Sequence, residues 1–130
     1  MNKTEVQKIV DKANKLLKEQ PKSKSVALKR ATEFIEIANQ IADYRVKVDK
    51  RKSKYNSDKF IVYQELYDSE DVKAAKTAEE RKMRIQSNDE YLDVREKYEE
   101  YVAESNRLGS LHDAYLKASD VFMDLAKEIR

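Results

Sequence analysis

The sequence predicts an all-α protein, a long antiparallel helical hairpin whose short N-terminal helix completes a three-helix bundle at one end. Three observations carry this prediction. The 130 residues contain one Gly and one Pro, too little turn chemistry for a β protein. Charged and hydrophobic residues each make up 40% of the chain, enough apolar content for a folded core. The last third also carries an unbroken three–four repeat of apolar and aromatic residues, the signature of a helix seam. One domain over 1–130 is the expectation for this length.

The first helix is predicted over 5–19. Thr4 and Gln7 have capping-box spacing. Val6, Ile9, Val10, Ala13, Leu16 and Leu17 then form one apolar face. The stretch "EQPKSKS" ends it, because the residue before Pro21 is forced out of helical geometry. The second helix is predicted over 25–67. Ala27, Leu28, Ala31, Phe34, Ile35, Ala38, Ile41 and Ala42 give a broad stripe. The stripe thins to Val48, Tyr55, Val62 and Leu66, with Arg45, Lys52 and Lys59 between them on the seam.

Residues 68–87 are polar and read as a connector, with room for a short helix from Ser69 to Arg84. A last helix over 88–129 is predicted to open on a Ser87–Glu90 capping box. Its seam runs Tyr91, Val94, Tyr98, Tyr101, Ser105, Leu108, His112, Tyr115, Ser119, Phe122, Ala126 and Ile129. Beyond Val102 the stripe widens. A wide stripe serves two neighbours and a narrow one serves a single partner. Hence the expected three-helix bundle, with a two-helix coiled-coil arm formed by about 45–67 and 88–104. The seam runs in phase across Gly109, so a continuous helix with a close contact is expected there.

Chemistry is sparse. No nucleophile–base constellation, phosphate-cradling glycine loop or zinc spacing occurs, and the reading is of a non-enzyme without cofactor or metal. His112 is the only histidine and reads as a packed seam residue. Asp120, Asp124 and Glu128 read as a solvated stripe. The absence of Cys fits a reducing cytoplasm. No apolar run resembles a signal peptide or a membrane span.

One stretch stands out. "KVDKRKSKYNSDK" (47–59) holds six basic and two acidic residues, although the whole chain carries only +2. Two readings are open. Lys47, Lys50, Arg51, Lys52 and Lys54 could answer Glu96, Glu99 and Glu100 of the facing segment 88–104, which has seven acids and two bases. Alternatively, those basic residues, with Lys59, cannot all face one partner, and the surplus could contact phosphates while Tyr55 stacks on bases. The connector adds Lys73, Lys76, Arg81, Lys82 and Arg84 as further candidates, against a solvated-face reading. Of the eight tyrosines, Tyr91, Tyr98, Tyr101 and Tyr115 read as core. Tyr44, Tyr55, Tyr63 and Tyr67 are the candidates for a partner surface.

The second half also resembles a known family. A lysine-rich helix ends in "YQELYDS", and a charged connector follows. Then comes "RIQSNDEYLDVREKY", leading into a terminal helix that ends "FMDLAKEIR". Over about residues 45–130 this order resembles the UvsY-type phage recombination mediators. The resemblance implies an oligomeric ring that binds single-stranded DNA and helps load a recombinase against a single-strand-binding protein. In that family, basic side chains shortly before the tyrosine pair contact DNA. Here the nearest are Lys59, Lys54, Lys52 and Arg51, one to four turns earlier. The expected function is therefore a non-enzymatic mediator in the cytoplasm of a bacterial host. A helical protein-interaction module with a charge-paired arm is the alternative. A seam containing Lys52, Lys59, Ser105 and Ser119 is polar for an isolated pair, which predicts a homo-oligomer.

Overall fold

The computed structural model describes residues 3–129; Met1, Asn2 and Arg130 lie outside the described residues. The fold is all-α, and no strand occurs among the described residues. The helices are α1 (Lys3–Lys18), α2 (Lys24–Tyr67), α3 (Glu70–Lys73), α4 (Ala78–Gln86) and α5 (Asp89–Glu128). The long helix α2 packs against α5 as a helical hairpin. Contacts group the chain into two compact units: residues up to Lys47 with those from Ser105 onward, and Val48–Glu104.

In the first unit α1, the start of α2 and the end of α5 enclose an apolar core. Val6 and Ala13 of α1, Phe34, Ile37 and Ile41 of α2, and Leu108 and Phe122 of α5 are buried there. Phe34 stacks on Phe122 at 5.5 Å and lies 6.0 Å from Tyr115. The buried Ser119 hydroxyl donates to the Ala31 carbonyl at 2.8 Å, so it enters the core with its polar atom satisfied. Between α1 and α2, the buried Arg30 closes the Pro21 turn. Its guanidinium donates to the Glu19 carbonyl, lies 3.8 Å from the Glu19 carboxylate and covers the Phe122 ring at 5.4 Å. The sequence pattern gave Arg30 no role, because a stripe count registers only apolar side chains.

Helix α5 is continuous through Gly109, as the unbroken register predicts. The close contact expected there is made by Arg45. A Cβ on Gly109 would lie 2.8 Å from the Arg45 guanidinium carbon, while Arg45 Nε donates to Ser105 Oγ at 3.3 Å. Alanine is favoured over glycine by about 1 kcal/mol in a helix interior. We therefore expect Gly109→Ala to be near neutral in the native chain, the helix gain being offset by displacement of Arg45. In an Arg45→Ala background the same change should stabilise by about 1 kcal/mol. Urea unfolding of the four chains checks this; equal effects in both backgrounds would contradict the contact.

The second unit contains the rest of α2, the start of α5, and α3 with α4. The connector is more structured than expected. Ser69 caps α3 by accepting from Val72 N, and Thr77 caps α4 by accepting from Glu80 N at 3.0 Å. Val72 and Ile85 pack with Val62 and Tyr91, so these short helices close their own small core. The sequence pattern does not reveal this stripe, because it rests on few apolar residues separated by two caps.

The capping box expected at Ser87–Glu90 is replaced. Ser87 ends α4 and its hydroxyl donates to the Met83 carbonyl at 2.8 Å. Asn88 opens α5 instead, accepting from Glu90 N at 2.9 Å. Thr4 already lies inside α1, and Gln7 donates to Asp11 at 2.9 Å.

Candidate nucleic-acid interface

The basic run lies within α2, whose 3.6-residue turn deals its side chains to all sides. Val48, Tyr55, Val62 and Leu66 face the second unit's interior, buried or half-buried. Lys50, Lys54 and Ile61 share the opposite stripe, at spacings of four and seven, and all three are exposed.

The expected charge zip between the two segments is not how these cations are held. Arg95 pairs with Glu99 at 3.4 Å and Lys97 approaches Glu100 at 4.0 Å, both along α5 itself. Lys52, half-buried, pairs with Asp49 at 3.4 Å within α2. Among the described residues, no ion pair joins Lys47, Lys50, Arg51 or Lys54 to a carboxylate. All four are exposed.

Tyrosine rings do the work expected of the carboxylates. Tyr55 stacks on Tyr101 at 5.4 Å with the planes 11° apart, and Tyr63 meets Tyr91 edge-on at 5.9 Å. The Lys59 ammonium sits 4.4 Å from the Tyr98 ring centre. Arg51 reaches the Tyr101 hydroxyl at 3.5 Å, and Lys54 lies 5.7 Å from the Tyr55 ring. Such contacts need no neutralising anion, because a ring's negative face attracts the cation directly. In the first unit, Lys47 similarly lies 5.5 Å from the Tyr44 ring.

This changes the reading of the tyrosines. Tyr55 and Tyr63 belong to the seam. The Tyr44 hydroxyl donates to Glu5 of α1 at 2.6 Å, and that bond to a carboxylate raises its pKa above the ordinary phenol value. Tyr67 is left exposed. α2 also presents Phe60, 65% exposed, and Ile61 to solvent in this unit. Neither was singled out from the sequence. The signal was present: both fall off the Val48–Tyr55–Val62 stripe.

The connector's bases divide in two. Arg84 is bound on both sides, 2.9 Å from Glu80 and 3.6 Å from Asp71, and also donates to the Asp71 carbonyl. Arg81 donates to the Ala75 carbonyl at 3.3 Å. These two half-buried arginines tie α3 to α4. Lys73, Lys76 and Lys82 are exposed.

Among the described residues, no group of three or more His, Cys, Asp or Glu stands where it could hold a metal ion. No helix there is long and apolar enough to cross a membrane. Compared with protein-family models, curated proteins and solved structures, the chain matches none of them.

Proposed function

We propose that this protein binds single-stranded DNA along the exposed side of α2 and serves, without catalysis, as a recombination mediator. The observation that supports it is the state of the basic run. Lys50, Arg51 and Lys54 are exposed on one helix without a carboxylate partner, in a chain whose net charge is only +2. Unpaired cations at helical spacing suit a phosphate backbone, and their counterions are released on binding. Lys47 on the same helix, and Lys73, Lys76 and Lys82 of the connector segment, extend the set of candidate contacts.

The mediator role rests on the resemblance of residues 45–130 to the UvsY-type proteins. It entails self-association, and contact with a recombinase and a single-strand-binding protein in the cytoplasm of a bacterial host. The test is a titration of labelled oligothymidylate across a salt series. Four to five phosphate contacts should give a log–log slope of about −3 to −3.5. Absence of binding at about 50 mM salt would remove the proposal. It would leave the second reading, a protein-interaction module, which the exposed Ile61 and Tyr67 favour. Light scattering with and without the oligonucleotide tests the self-association; a monomer at micromolar concentration in both cases contradicts it.

A further inference from the structure

We infer that Phe60 is the base-stacking residue of this surface, and that it makes the surface select unpaired nucleotides over duplex. This inference rests on the DNA-binding reading above and adds to it a residue and a selectivity. Three observations meet at Phe60. The first is exposure: at 65% exposed, it is the most solvent-accessible aromatic side chain among the described residues. Exposure leaves the ring open to a base.

The second is its neighbour. The Lys59 ammonium lies 5.6 Å from the Phe60 ring centre and 4.4 Å from that of Tyr98. The Tyr98 ring, fixed on α5, therefore helps hold a cation against Phe60. A base stacked on Phe60 would bring its own phosphate within reach of that ammonium. The third is the setting. Lys50 and Lys54 are exposed upstream on the same helix, and Ile61, next in sequence, is exposed as well.

Tyr55, the stacking candidate from the sequence, is placed differently. Its ring is stacked on Tyr101, and it borders a cleft where three carboxylates, Asp93, Glu96 and Glu100, outnumber the one cation, Lys97. Those carboxylates would repel a phosphate backbone.

The selectivity follows from geometry. In a duplex every base already stacks on its neighbours and pairs across the helix, so no π-face is free for a protein ring. A single strand can splay a base onto it. Lysines alone would bind both forms through phosphates.

The experiment compares three labelled probes of equal length by fluorescence anisotropy: oligothymidylate, an abasic deoxyribose-phosphate strand and a duplex. The native chain should bind oligothymidylate roughly 5- to 150-fold more tightly than the abasic strand, the range of one stacked base. Phe60→Ala should lower oligothymidylate affinity to the abasic level and leave abasic binding unchanged. Phe60→Trp should restore the difference, and Phe60→Leu should not. Because the side chain is exposed, these variants should keep the native helical content, checked by circular dichroism.

Equal affinity of the native chain for oligothymidylate and the abasic strand would overturn this inference and leave DNA binding standing. So would a Phe60→Ala chain that binds like the native one, or one whose only change is a smaller mass in solution. The last result would assign the ring to a contact between copies. Failure of the native chain to bind any probe would remove both proposals.

Discussion

A chain carrying Lys50→Ala, Arg51→Ala and Lys54→Ala is expected to bind single-stranded DNA roughly two to three orders of magnitude more weakly at about 50 mM salt. The estimate follows from counterion release. Each phosphate contact contributes about 0.7 to the slope of log affinity against log salt, so three lost contacts lower it by about two. The fold should survive the change. Lys50 and Lys54 are exposed without an ion-pair partner, and Arg51 gives up one long hydrogen bond to Tyr101 at 3.5 Å. Urea unfolding should therefore move by less than about 1 kcal/mol. A control in which Arg81 and Arg84 are replaced should do the reverse: little direct loss of DNA contact, but a loosened connector. If the triple variant kept both its affinity and its salt slope, the α2 surface would not be the binding site.

Phe34→Ala should be the most damaging single substitution, costing about 3–5 kcal/mol. Phe34 is 0% exposed and packs against Phe122 and Tyr115 of α5. Truncation removes the burial of a large ring and leaves a cavity between two long helices that cannot readily collapse. The ring pairing adds about 0.5–1.5 kcal/mol, which is lost with it. Set against the 5–15 kcal/mol typical of a folded domain, this brings the chain near its unfolding threshold. The urea midpoint should fall by about 1–3 M with an unchanged slope. An effect below about 1 kcal/mol would mean that the first unit's core is not centred on this contact.

The helices were legible because their evidence is periodic. The twelve-residue seam from Tyr91 to Ile129 is buried or half-buried throughout, and α2 runs from Lys24 to Tyr67 as its lack of breakers required. Local hydrogen-bond competition was harder to read. Ser87 and Asn88 are adjacent, and both can cap. Which one does depends on where α4 ends, which is a tertiary outcome set by burial of Ile85. The candidate site was legible as composition but not as orientation. Six cations in thirteen residues are visible in the sequence. That Lys59 turns to Tyr98 and Lys50 and Lys54 to solvent is settled by rotation of α2 against α5. Complementary charge on the facing segment suggested a zip, but the acids find partners one turn away on their own helix. Such local pairs need less ordering of long side chains than a cross-helix pair would.

The tyrosine seam has a practical corollary. Ring-to-ring stacking is insensitive to ionic strength, whereas attraction between lysine and phosphate fades with it. Brine strong enough to strip away a polyanion would thus leave Tyr55 against Tyr101 and Tyr63 against Tyr91 undisturbed. On the proposed reading, release of bound DNA by salt and integrity of the scaffold would therefore answer to separate controls.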